Sequence, residues 1–160
     1  MHPIVRVGHG FDAHRLAPGR RLILGGIAVE SEVGAVGHSD ADVLAHAISD
    51  ALLGACALGD LGTHFPSTDL RWKDADSIEL LRACAALVRR RGFALGNVDA
   101  TVIVERPRLE PYVERMRERI AQALALELQL VSVKAKSSEG MGYTGDGTGI
   151  AAHALVCVVS

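Results

Sequence analysis

A chain of 160 residues, 49% apolar and 22% charged, has the makeup of one globular domain with a buried core. Its net charge of −2 argues against a nucleic-acid or acidic-membrane surface. Three widely spaced cysteines, Cys56, Cys84 and Cys157, make no CxxC pair and read as reduced core residues, which suits a cytoplasmic protein.

At the N-terminus, His2, Pro3, Arg6 and Asp12 break up any apolar leader, and no later stretch is long and apolar enough to span a bilayer. Residues 4–9 alternate as a strand and run into Gly10-Phe11-Asp12-Ala13-His14. Residues 17–20 form a turn. Residues 21–24 open a second strand, which Gly25-Gly26 breaks or bulges before residues 27–29 continue it. Residues 31–37 are a flexible lead into a central helix over 41–58, with Ser39 or Asp40 as its N-cap. Residues 59–69 read as a long functional loop without an element of its own. A second helix starts at Asp76 or Ser77 and carries Ile78, Leu81, Cys84, Ala85 and Val88 at helical spacing. Arg89-Arg90-Arg91-Gly92 closes it as a solvated, cationic helix end.

A strand over 97–105, a rigid connector over 106–111, an amphipathic helix over 112–126 and a strand over 130–136 follow. Residues 137–149 are a polar, Gly-rich loop, and 150–159 are the closing strand. The order β-β-α-α-β-α-β-β holds one right-handed crossover between parallel strands, at 97–136, and the other strands can pair antiparallel. The expected fold is an α/β (α+β) two-layer sandwich, a mixed sheet with helices on one face, in a single domain over residues 1–160.

Asp42, His46 and Asp50 recur every four residues, which sets them on one face of the central helix. A histidine there can simply be a buried group bonded to carboxylates. Asp12-Ala13-His14 adds a carboxylate and an imidazole that project to one side of extended backbone. Asp12, His14 and His46 then make a two-His, one-carboxylate set with a fourth position open, the pattern of a catalytic zinc site. The 137–149 loop is either a phosphate cradle or a plain connection. Lys134 and Lys136, on one face of the preceding strand, favour phosphate, and Glu139 is an oxygen ligand of the kind magnesium uses beside phosphates. His38 precedes a helix N-terminus, itself an anion site. His2, a terminal residue, and His64, a loop residue, carry less, and His153 is a strand residue with no evident partner. His9 lies near the ligand candidates, but the Asp12-x-His14 pair is the better ligand set. The whole suggests phosphoryl chemistry on a small substrate.

Four motifs, in this order and spacing, resemble the 2-C-methyl-D-erythritol 2,4-cyclodiphosphate synthase family. They are Gly8-His9-Gly10-Phe11-Asp12-Ala13-His14, the stretch from His38-Ser39-Asp40 to Ala45-His46, Gly59-Asp60-Leu61-Gly62, and Lys134-Ala135-Lys136-Ser137-Ser138-Glu139. The resemblance implies a cytoplasmic homotrimer of the non-mevalonate isoprenoid pathway, with active sites between subunits. Its reaction turns 4-diphosphocytidyl-2-C-methyl-D-erythritol 2-phosphate into the 2,4-cyclodiphosphate and CMP. It implies zinc on Asp12, His14 and His46, and catalytic roles for His38 and Ser137. Substrate contacts would come from Asp12, Ala13, His14, His38 and Ser39, with Asp60, Leu61 and Gly62 holding the diol. Phe65, Pro66, Ser67, Thr68 and Asp69 would form a mobile loop over it. Val104, Glu105, Arg106, Pro107, Arg108, Leu109 and Glu110, with Ala135, Lys136, Ser137 and Ser138, would bind cytidine and its phosphates. Glu139 would hold magnesium or manganese, and Tyr143 would be a further substrate contact.

The chain departs from the family pattern in three places, one of them a residue pair. Ser67 stands where members often have Asp, and Ser137-Ser138 replaces the usual Thr pair. Asp146 takes the place of a common Arg facing the trimer channel, where a carboxylate would repel isoprenoid diphosphates. A zinc phosphodiesterase or other hydrolase, and a binding module whose His and Asp residues satisfy one another, are the rival readings.

Overall fold

Alternation along one strand organises the molecule. The computed structural model, which describes residues 2–160, opens on β1 (Val5–Pro18), which takes in the first half of the expected turn at 17–20 and leaves the turn itself at Gly19. Gly8 and Gly10 of β1 lie directly under the central helix α1 (Val43–Ala55). A Cβ on Gly10 would sit 1.8 Å from the Ala47 carbonyl oxygen, and one on Gly8 1.8 Å from that of Ala51. Only glycine lets strand and helix backbones approach so closely. Two residues further along the same face come Asp12 and then His14, level with the first turns of α1.

Between β1 and α1 the chain forms β2 (Leu22–Leu24) and β3 (Ile27–Val29), an antiparallel pair. Gly25-Gly26 is therefore a two-residue hairpin turn rather than a bulge. Its φ values of 56° and 72° are those a tight hairpin requires of glycine. The expected flexible lead also contains a strand, β4 (Val33–Ala35), paired antiparallel with the end of β1.

The central helix starts later than the sequence suggests. Asp42 is its N-cap, accepting from Ala45 N at 3.0 Å and from the hairpin amides Gly25 N and Gly26 N at 2.9 and 2.7 Å. Burial pushes the Asp42 carboxyl up to about 6 against these three donors. Asp42 thus ties the hairpin to the helix and does not share the His46 face. The expected loop at 59–69 holds a short helix, α2 (Leu61–His64), capped by Asp60, and a 3-10 turn (Leu70–Trp72) follows. Helix α3 (Ser77–Arg90) is capped by Asp76 as expected.

Next come β5 (Ala94–Ile103), α4 (Val113–Leu124) and β6 (Val131–Lys136). A one-turn helix, α5 (Gly142–Gly145), lies within the Gly-rich loop, and β7 (Gly149–Val159) closes the chain. The five-stranded sheet has the order β4-β1-β7-β5-β6, antiparallel except for the parallel β5–β6 pair that α4 bridges. This is the mixed α/β arrangement the sequence predicts. Leu44, Ile48 and Leu52 of α1, Ile78 and Leu81 of α3, and Met116, Ile120 and Leu124 of α4 fill the core without exposure. Each such side chain contributes roughly 1.5–3 kcal/mol by burial.

The other sheet face is open. Val5, Val7, Phe11 and Leu155 on it are between 46% and 65% exposed. Cys157 of β7 is half-buried, so only Cys56 and Cys84 are core residues, and all three are free thiols. Among the described residues no helix is long and apolar enough to cross a membrane.

Candidate metal centre and neighbouring cavities

Asp12 and His14 from β1 and His46 from α1 converge, although far apart in sequence. Asp12 Oδ2 is 2.9 Å from both His14 Nε2 and His46 Nδ1, and the two nitrogens are 3.5 Å apart. Ligand atoms at tetrahedral angles around an ion with bonds of about 2.05 Å are roughly 3.3 Å apart, so the three fit one small divalent ion. Burial alone would raise the Asp12 carboxyl, but the hydrogen bonds and charges of His14 and His46 outweigh it and bring it to about 2. Burial alone would lower His14, yet its bond to Asp12 and that carboxylate's charge raise it.

Both imidazoles are held from behind. His14 Nδ1 donates to the Val36 carbonyl at 2.9 Å, which turns Nε2 toward Asp12 and makes it the nitrogen that would face an ion once its proton is displaced. His46 Nε2 lies 2.8 Å from Ser77 Oγ and 3.1 Å from Ser39 Oγ, so His46 presents Nδ1 to the centre. Ser77 Oγ in turn donates to Asp40 Oδ1. Ser77 and Asp40 are thus supporting residues that sequence reasoning missed. Ser77 was legible only as a helix start, and nothing in the sequence brings it to His46, 31 positions away.

Beside the centre is a cavity of about 210 Å³, lined by His14, His38, Ser39, His46, Leu61, Gly62, Phe65, Ser67, Trp72 and Leu80. Phe65 meets Trp72 edge-on, ring centres 4.9 Å apart. Asp60 uses Oδ1 for both Thr63 N and Thr63 Oγ1, at 2.8 and 2.7 Å. Asp50 accepts from Leu61 N at 2.7 Å, its carboxyl raised by burial, and so anchors α2 rather than joining the ligand set. Asp69 is engaged by Arg71.

A second cavity, of about 750 Å³, gathers Val104, Glu105, Arg106, Pro107, Arg108, Leu109 and Glu110 with Ala135, Lys136 and Ser137. These segments meet because β5 and β6 run parallel and end side by side. Ser137 Oγ donates to Glu105 at 2.8 Å and accepts from Glu139 N at 2.9 Å. Ser138 and Thr144 share a hydroxyl hydrogen bond, 2.5 Å long, and Tyr143 is exposed on α5. Lys134 departs from expectation, since its Nζ is tied to Asp99 at 2.5 Å. His38 and Ser137 line different cavities. His9 faces away from the centre, and His153 does have a partner, which is His9.

A family model described as the YgbB family matches residues 5–159. A curated relative from Trichlorobacter lovleyi, named 2-C-methyl-D-erythritol 2,4-cyclodiphosphate synthase, is 52% identical over 155 residues, covering 97% of this chain and 99% of the relative. The bifunctional IspDF of Campylobacter jejuni superposes with a TM-score of 0.95 at 38% identity, over 99% of this chain and 43% of that longer one. A CDP-bound 2C-methyl-D-erythritol-2,4-cyclodiphosphate synthase gives a TM-score of 0.89 at 37% identity, over 96% and 99% of the two chains.

Proposed function

The chain belongs to the YgbB family, whose curated relatives are 2-C-methyl-D-erythritol 2,4-cyclodiphosphate synthases, and from that membership as a lyase of isoprenoid biosynthesis we propose how its residues perform the cyclisation. The substrate is 4-diphosphocytidyl-2-C-methyl-D-erythritol 2-phosphate, and the products are the cyclodiphosphate and CMP. An oxygen of the 2-phosphate attacks the β-phosphorus, and the bond to the CMP oxygen breaks with its electron pair leaving on CMP. No protein nucleophile is required, so the chain's task is to position the substrate and balance its charge.

The observation that carries this reading is the convergence of Asp12, His14 and His46 beside a cavity shared with His38, Ser39, Leu61 and Gly62. We assign zinc to that centre and magnesium or manganese to Glu139, Lewis acids that would neutralise the crowded phosphate oxygens. His38 and Ser137 would donate hydrogen bonds to the phosphates as charge shifts between them. Asp60, whose Oδ1 is occupied by Thr63, would offer Oδ2 to the diol together with the backbone of Leu61 and Gly62. Phe65, Pro66, Ser67, Thr68 and Asp69 would cover that end. The larger cavity would take cytidine between residues 104–110 and 135–138, with Tyr143 at its rim.

Because His38 and Ser137 line separate cavities within one chain, we propose that each active site forms between chains of a homotrimer. The open apolar face carrying Val5, Val7, Phe11 and Leu155 supports a subunit contact. We further read residues 1–160 as a single catalytic domain of cytoplasmic location.

The test is turnover of the cytidine substrate followed by phosphorus NMR. The cyclic diphosphate and CMP are expected, with magnesium required and His46→Ala inactive while still folded. Linear phosphates instead of the ring would make the chain a hydrolase.

A further inference from the structure

We propose that the indole Nε1–H of Trp72, the only tryptophan of the chain, is a substrate-binding donor that reads a hydroxyl oxygen of the methylerythritol diol. Trp72 lies outside the 65–69 segment assigned above, yet its ring lines the same cavity of about 210 Å³ as Leu61, Gly62, Phe65 and Ser67. Its Nε1 is shut away from solvent and has no acceptor among the described residues. A buried donor left unpaired is costly and uncommon, and in the wall of a cavity it marks the place of a ligand's acceptor. Phe65, edge-on with ring centres 4.9 Å apart, offers at most the weak acceptor of a π face.

The indole is placed by its neighbours. Trp72 ends a 3-10 turn capped by Asp69, which accepts from Arg71 N at 3.0 Å. The Arg71 guanidinium, itself bound to Asp69, lies 5.6 Å from the centre of the indole. The segment beyond is sewn to the residues before the central helix. Asp74 N donates to the His38 carbonyl at 3.0 Å, and Asp40 N to the Ala75 carbonyl at 3.2 Å. The backbone of Trp72 is therefore tied to the one that carries His38 and Ser39. A small turn of the ring about its broad second side-chain torsion then presents the N–H to a bound oxygen.

The chemistry selects a hydroxyl. An indole N–H donates and never accepts, whereas a carboxylate such as Asp60 only accepts. A diol hydroxyl that gives its proton to Asp60 Oδ2 keeps lone pairs for Trp72, so the two groups fix its orientation from both ends. The phosphate oxygens already have His38 and Ser39 as donors in the same cavity. A site that hydrogen-bonds a hydroxyl in this way rejects analogues that lack it, which makes Trp72 a specificity residue. This role rests on the cyclisation reading above.

The experiment follows the single indole N–H cross-peak of the isotope-labelled full chain by NMR while 2-C-methyl-D-erythritol 2,4-cyclodiphosphate is added, with inorganic pyrophosphate as the control. The cyclodiphosphate should move the peak downfield and slow its hydrogen exchange, and pyrophosphate should leave it in place. Trp72→Phe keeps a ring against Phe65 but has no N–H. It should raise KM for the cytidine substrate about five- to tenfold and hold kcat within about twofold, with circular dichroism showing the fold intact. Three results would overturn the role of Trp72 and leave the cyclisation standing: cyclodiphosphate binding with a stationary peak, a peak moved by pyrophosphate, or an unchanged KM in an active Trp72→Phe. A parent chain that neither makes nor binds the cyclodiphosphate would remove both.

Discussion

At the residue scale, the candidate metal centre would depend on side chains that do not belong to its ligand set. Ser77 Oγ accepts a hydrogen bond from His46 Nε2 and donates one to Asp40, which fixes the ring with Nδ1 toward Asp12. Loss of such a support costs about 10–100-fold in metal affinity. Ser77→Ala should fall near the lower end, about tenfold, because Ser39 Oγ remains 3.1 Å from the same nitrogen. Competition against a fluorescent chelator measures this, with circular dichroism showing the fold intact. Unchanged metal retention would mean that Ser39 alone orients the ring. The thiols offer a second residue-level prediction. Burial pushes Cys84 up to about 12. In the folded protein at pH 9, Cys84 should resist iodoacetamide, and it should react once the chain is unfolded in denaturant. Peptide mapping would reveal native-state labelling of Cys84 if its shielding is weaker than this.

At the scale of elements, the contact between β1 and α1 is made by backbone. Gly10→Ala would drive a methyl into the Ala47 carbonyl, and neither strand nor helix can yield without losing the centre. Destabilisation of about 3 kcal/mol or more is expected from denaturant melts, above the usual range for overpacking because the obstacle is main chain. Gly54, also in α1, is the control. Its added Cβ would meet only His9 O at 3.8 Å, so Gly54→Ala should stabilise the helix by about 0.5 kcal/mol.

The same contact shows what the sequence could and could not say. Helices α3 and α4, the parallel crossover and the ligand triad were legible, because apolar period and Asp-x-His spacing are local signals. The hairpin at Gly25-Gly26, strand β4 and helix α2 were not, because each is held by a distant partner: Asp42 for the hairpin, β1 for β4, Asp50 for α2. His153 likewise had no local signal, since its partner lies 144 positions away.

At the scale of the whole molecule, the two cavities of one chain lead to a complementation experiment. On the proposed assignments, His46→Ala would damage the metal half and Glu139→Ala the cytidine half. In a ring of three with sites between chains, every mixed ring contains one interface with both halves intact. Random exchange of equal amounts makes about three quarters of rings mixed, so about a quarter of full activity should return. Each chain carrying its own complete site would leave such a mixture dead, with mass spectrometry confirming that mixed rings had formed. The strand at the centre of all this has a further property. β1 turns Gly8, Gly10, Asp12 and His14 to the helix and Val7, His9 and Phe11 to the open face. It therefore reads its gene by parity. Loss of the single codon for Phe11 would swing Asp12 and His14 out to the open face and Ala13 in beneath the helix, whereas loss of two codons would preserve the sides. In a lineage of such genes, length changes within this segment should survive in even numbers or not at all.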